Sequence, residues 1–216
     1  MSNQYNNQAG FGQKSNGKAP IRKSTTALIV LAAIVLVAVF FTFGSYNSLV
    51  KEDESVNTTW ANLQAQYQRR ADLVPNLVNT VKGYAQHEAS TLEGVVEARA
   101  KATQMQVNAD ELTPEKAAQI QKAQGELSQA LGRLMAIQEN YPELKANENF
   151  SELQAQLEGT ENRINESRRH YNESVKTYNM KVRSFPRNIV ANLFGFGKRT
   201  PFEAEAGAGK APEVKF

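Results

Sequence analysis

The stretch FSELQAQLEGTENRINESRRHYNESVKTYNMKVRSFP, residues 150–186, decides the fold. Phe150, Leu157, Ile164, Tyr171, Tyr178 and Phe185 recur every seven residues, a period that lines one stripe of a helix and leaves no alternation of the kind a strand needs. Ser151 and Gln154 have capping-box spacing at its start. Pro186 closes it, because a proline ring cannot continue the helical hydrogen bonding. Upstream, from Leu49, two further stripes run at the same interval: Val56, Leu63, Leu77 and Tyr84 on one, Trp60, Tyr67, Val74 and Val81 on the other. Pro75 lies within that register without disturbing it, which predicts a kink rather than a stop.

The pattern fails at Glu88 and Thr91, so a break is expected between Ala85 and Ser90. Ser90 and Glu93 again have capping-box spacing, and a new stripe follows at Leu92, Val95 or Val96, Arg99 and Ala102. A third helix is predicted from Thr113, with Pro114 at its first position, burying Ile120, Leu127, Leu131, Leu134 and Ile137 before a stop at Tyr141-Pro142. Four amphipathic helices with short links can share one core, and the fold class expected is all-α: an antiparallel up-down four-helix bundle over residues 46–186.

Ahead of the bundle, ALIVLAAIVLVAVFFTF at residues 27–43 is roughly 17 strongly apolar residues, and its flanks extend it over 25–45 to the length a bilayer needs. A cleaved signal peptide is the competing reading, disfavoured by the length of the run and by the poor small-residue site at Thr42-Phe43-Gly44-Ser45. Lys14, Lys18, Arg22 and Lys23 precede the span while Lys51 alone follows closely, which puts the N-terminus in the cytoplasm and the bundle outside the inner membrane or in the periplasm. Residues 1–24 and 198–216 are rich in Asn, Gln, Gly, Ser, Pro and Ala and read as disordered.

Charge narrows the function classes. The net charge of +3 conceals about +4 in residues 1–23, about +4 in 181–216 and about −5 between them. An acidic body excludes nucleic acid as the expected partner. With 0 Cys and 2 His, thiolate metal sites, Fe–S clusters and cysteine nucleophiles are excluded, and His-rich zinc sites are disfavoured. No phosphate loop, nucleophile elbow or HExxH string occurs, so no cofactor, metal or catalytic residue is assigned and an enzyme is not expected.

The strings YNSLVKEDESVNTTWANLQAQYQRRADLVPNLVNTVKGYAQHE at 46–88 and YPELKANENFSELQAQLEGTENRINESRRHYNESVKTYN at 141–179, with the following Phe185-Pro186, resemble the LemA family. The resemblance covers roughly residues 46–196. It implies an N-terminal membrane anchor and a four-helix bundle, and it implies no reaction. Family descriptions place the short N-terminus outside the cell, against the orientation that the basic residues indicate here.

Candidate site residues each have a structural alternative. The Arg69-Arg70-Ala71-Asp72 cluster can hold an anionic headgroup, but Arg70 occupies the seam position between Leu63 and Leu77, which favours an ion pair inside the bundle. If the first and fourth helices run antiparallel between Tyr46 and Phe185, residue i faces roughly 231 − i, and Arg70 then meets Glu161. Arg168, on the same helix as Glu161, is the second choice. Asn165, Asn172 and Asn179 are seven apart beside the seam, with Asn76 and Asn79 on the first helix; they can line a peptide groove, although amide bonds that fix helix register are the simpler reading. His170 between Glu166 and Glu173 offers a weak metal suggestion, and a solvated charged face is by far the better reading of the three. His87-Glu88 is read as a cap or turn, and Tyr141 and Phe185 as core aromatics at helix stops. Parity returns the fourth helix to the bilayer, where 187–197 carries Ile189, Leu193, Phe194 and Phe196 between Arg187 and the pair Lys198 and Arg199. These are the membrane-contact candidates, against a final turn packed on the bundle base.

The function expected from sequence is a membrane-anchored, non-enzymatic helical scaffold of the bacterial envelope. Its expected partners are membrane lipids, envelope proteins of unknown identity and a second copy of the chain in a homo-oligomer. A lipid-binding or self-assembling membrane organiser is the alternative.

Overall fold

The computed structural model describes residues 23–105 and 107–203. The Lys14, Lys18 and Arg22 charges and the tail 204–216 lie outside the described residues. Among the described residues six α-helices follow one another: α1 (Lys23–Tyr84), α2 (Ala89–Thr103), α3 (Pro114–Ala136), a four-residue turn α4 (Pro142–Lys145), α5 (Glu148–Arg183) and α6 (Arg187–Phe194). No strand occurs among the described residues, and the fold is all-α.

α1 is 62 residues long and passes through Pro75 unbroken. Its first part is long and apolar enough to cross a membrane, and its side chains, Leu28, Ile29, Leu36 and Phe40 among them, are exposed, where a soluble core helix would bury them. From Leu49 onward α1 is a bundle helix. Leu49, Val56, Trp60, Leu63, Tyr67, Val74, Leu77 and Val81 are all buried.

α5 packs antiparallel to it. Lys181 Nζ reaches Glu52 Oε1 at 2.7 Å, Thr59 Oγ1 and Ser174 Oγ are 2.7 Å apart, the rings of Trp60 and Tyr171 are 5.4 Å apart, and Asn147 Nδ2 donates to the Tyr84 hydroxyl at 2.8 Å. Every one of these pairs falls within two places of the relation 231 − i. α2 is tied to α1 by Arg99 Nε, which donates to the Ala71 carbonyl at 2.7 Å.

Helix starts depart from the sequence reading in two places. α2 begins at Ala89 behind Glu88 with no side-chain cap, so the Ser90–Glu93 box is not used. α5 begins earlier than Ser151: Asn147 is the N-cap, its Oδ1 accepting from Phe150 N at 2.9 Å, and Ser151 lies within the first turn with its hydroxyl bonded to the Asn147 carbonyl. An Asn cap satisfies a first-turn orphan amide as a Ser cap would, and it wins because it leaves Phe150 inside the helix at 0% exposure. Thr113 caps α3 as its spacing implies, accepting from Lys116 N.

Phe185 also corrects the heptad reading. α5 ends at Arg183, so Phe185 no longer continues the stripe and is 81% exposed. Tyr141 is half-buried, its hydroxyl donating to Glu88 Oε1 at 3.2 Å. Residues 198–203 are a further correction. Expected to be disordered, they form an extended strap along the bundle that ends with Phe202 buried at 3% exposure.

Candidate functional site

The apolar core is divided. One cluster holds Leu49 to Tyr67, Ile120 and Ile164 to Val182; the other holds Val74 to Ala85, Leu92 to Ala102, Leu127 to Ile137 and Phe150 to Leu157. Between them lies a polar layer centred on Arg70, whose residue exposure is 1%. Its Nη1 donates to Glu161 Oε1 at 2.5 Å and to Ser128 Oγ at 2.7 Å. Nη2 donates to the Gln124 carbonyl at 3.2 Å and also to Gln124 Oε1. Gln124 Nε2 donates in turn to the Ala102 carbonyl at 3.2 Å, so the layer ties α1, α2, α3 and α5 together. The Glu161 side chain remains 34% exposed, which leaves the carboxylate partly hydrated while the guanidinium is dry.

Arg168, the second choice for Glu161, lies instead by Tyr67. Burial pushes the Tyr67 hydroxyl above its ordinary range, with the charges of Arg168 and Arg70 pulling the other way. Arg69 and Asp72 point outward, and Asp72 accepts from Gln68 Nε2 at 2.7 Å. The cluster is therefore no headgroup cradle as a unit. His170 is exposed, 3.7 Å from Glu166 and 3.8 Å from Glu173, and the described residues contain no group of three side chains able to hold a metal. His87 is exposed in the turn after α1.

The most developed recognition geometry lies in the groove between α1 and α5, where the strap is seated. Asn179 accepts from Arg199 N at 2.9 Å and donates to the Arg199 carbonyl at 2.8 Å. Asn172 does the same for Phe202, at 2.9 Å in both directions. These asparagines therefore hold a peptide backbone and do not bridge helices. Asn165, one heptad earlier, is exposed, as are Asn76 and Asn79.

Side chains of the strap are read as well. Arg199 donates from Nη2 to Asp53 Oδ1 at 2.7 Å and lies 5.8 Å over the Tyr178 ring. Phe202 is stacked on Trp60 at 5.7 Å and tilted against Tyr171 at 5.6 Å, and the Tyr171 hydroxyl donates to the Thr200 carbonyl at 2.9 Å. Sequence reasoning missed Asp53, Trp60 and Phe202 as a site. The signal it had was the asparagines seven apart and Phe202, a large aromatic in an otherwise apolar-poor tail.

Burial pushes the Tyr171 hydroxyl up from 10.0 to about 12, with the Arg199 charge opposing. Because the folded value is the higher one, the stability this tyrosine contributes is intact below pH 10 and is lost as pH climbs toward 12. A tyrosinate also cannot donate to Thr200. Emission from Trp60, the 1 Trp of the chain, should therefore shift red across that window, and Tyr171→Phe should remove the Tyr171 component of the transition. An identical pH profile in the variant would show that Tyr171 does not control the strap.

The membrane-contact candidates divide. Ile189, Leu193 and Phe194 on α6 are exposed at 59, 74 and 50%, while Val190 and Ala191 face the core, so α6 is a packed final turn that still presents an apolar outer face. Gly195 ends it in the left-handed region at φ 78°, a backbone conformation that favours glycine. Phe194 and Phe196 contact the Tyr46 ring at 5.0 and 5.7 Å, and Phe196 is half-buried. Arg187 is half-buried and Lys198 exposed. Arg199 is engaged with Asp53, the acidic residue one turn along α1 from Leu49, at 2.7 Å, a correction to its reading as a membrane-facing charge.

These features define a helical-bundle protein whose interior polar groups serve structure and whose groove holds a peptide. The chain belongs to the LemA family, whose model matches residues 59–216. Magnetosome protein MamQ 2 of Paramagnetospirillum magneticum is 29% identical over 92% of this chain and 78% of its own length. Protein LemA of Metamycoplasma hominis is 25% identical over 91% of this chain and 90% of its own.

Proposed function

We propose that this chain is a membrane-anchored, non-enzymatic scaffold that presents its bundle to protein partners in the cell envelope, with the N-terminus cytoplasmic. The supporting observation is where apolar surface remains exposed. It is concentrated on the helix at 27–43 and on Phe185, Ile189, Leu193 and Phe194, while the interior polar groups are spent on holding helices and strap together. Impermeant maleimide on intact cells with the outer barrier opened should label Ser151→Cys, an exposed bundle position, and spare Ser15→Cys. Labelling of Ser15→Cys alone would reverse the orientation.

The outer face of α6 favours a second reading, in which the chain also binds lipid. Three apolar side chains on eight residues suit a helix lying at headgroup level. In nanodiscs, a fluorophore on Leu193→Cys should be quenched by brominated lipid far more than one on Asn162→Cys. Equal quenching at both positions counts against lipid contact and leaves α6 as a packed turn.

A further inference from the structure

We infer that the α1–α5 groove is a recognition site for an extended Arg-x-x-Phe segment, and that it takes this segment from a second copy of the chain in exchange for its own. The two asparagine rungs carry the argument. Seven residues of helix rise about 10.5 Å, and three residues of extended chain span about 10 Å, so Asn179 and Asn172 meet backbone positions 199 and 202 without either element bending. Each rung offers one acceptor and one donor to one residue's N–H and C=O, which is how a strand edge grips a peptide irrespective of its side chains.

Selectivity comes from the slots between the rungs. Asp53 and the Tyr178 face take a guanidinium at the first position, and Trp60 with Tyr171 take an aromatic ring three residues on. Every one of these contacts is made by side chains of α1 and α5 to a segment that follows the end of α6 at Gly195. None of them depends on that segment belonging to the same molecule. Exchange of an identical element between copies reproduces all the contacts and costs only the rearrangement of the connection. Copies confined to one membrane meet at raised effective concentration. The inference rests on the proposed anchoring for that confinement alone; the groove itself does not need it.

Two measurements on the full-length chain test it. In a chain carrying Arg199→Ala and Phe202→Ser the strap should leave the groove, exposing Trp60 and shifting its emission red while helicity by circular dichroism is retained. A synthetic peptide of residues 197–204, GKRTPFEA, should restore the blue emission, and its Phe-to-Ala version should bind roughly tenfold or more weakly. Unchanged emission in a helical variant, or equal binding of both peptides, overturns the site.

Exchange is read separately. Gln121 Nε2 donates to the Glu203 carbonyl at 3.3 Å, and the chain has 0 Cys, so Gln121→Cys and Glu203→Cys on different copies, co-expressed, report exchange through a short bismaleimide. A covalent dimer, lost when the Glu203→Cys chain also carries Arg199→Ala and Phe202→Ser, is the expected result. Cross-linking only when both cysteines lie on one chain overturns exchange. Retention of the chain in the membrane pellet after alkaline carbonate extraction tests the anchoring reading, and its release would overturn that reading independently of either outcome.

Discussion

Glu161→Leu should destabilise the bundle by about 3 to 5 kcal/mol, because it leaves Arg70 as a buried charge without its counter-ion. The asymmetry of the pair makes the direction specific. Arg70 is 1% exposed, and its other partners, Ser128 and Gln124, are neutral, whereas the Glu161 side chain is 34% exposed and can turn toward water when Arg70 is removed. Arg70→Leu should accordingly cost less, about 1 to 3 kcal/mol, most of it from stranding the Gln124 side chain. The double variant should lie close to Arg70→Leu alone, since an apolar pair in an apolar core replaces a partly hydrated ion pair at little net loss. Urea unfolding of the full chain in detergent, followed at 222 nm, measures the cycle. Strictly additive losses would mean that the two side chains do not stabilise one another.

Trp60→Ala should cost about 3 to 5 kcal/mol, the range for truncating a large buried aromatic. Trp60 is 3% exposed, stacks on Phe202, tilts on Tyr171 and donates from Nε1 to the Val107 carbonyl at 2.8 Å. Trp60→Phe separates these roles. It keeps a ring in the slot, and the Val107 carbonyl stays satisfied because Gln64 Nε2 also donates to it at 3.0 Å. No buried acceptor is orphaned, so the phenylalanine variant should lose only about 1 to 2 kcal/mol. The same unfolding measurement decides. Equal losses for both variants would place the energy in the indole N–H and not in the stacking.

The geometry of the polar layer was legible because two charges interrupt two apolar stripes and antiparallel helices convert sequence distance into opposition. Arg70 and Glu161 need nothing else to be matched. The helix starts at Ala89 and after Asn147 were harder, since Ser90 with Glu93 and Ser151 with Gln154 offer spacing as good as any used cap. What decides between them is which apolar residue must be inside the first turn, and for α5 that residue is Phe150. Phe185 extends a heptad arithmetically, but α5 stops at Arg183 and the stripe stops with it. The strap was invisible for a different reason. A segment of Gly, Pro and charges cannot build a core of its own, and composition does not reveal that Asn172, Asn179 and Tyr171 supply hydrogen-bond partners for its backbone.

The divided core bears on how such a chain can be recombined. On α1 the boundary falls between Tyr67 and Val74, on α3 between Ile120 and Leu127, and on α5 between Leu157 and Ile164, so all three helices change cluster at the level of Arg70, Gln124 and Glu161. A hybrid that takes the Trp60 half from one relative and the Phe150 half from another would splice at that level and mix few apolar contacts of different origin. Only Arg70, Gln124, Ser128 and Glu161 would have to be inherited together, and the two halves could drift in sequence at separate rates.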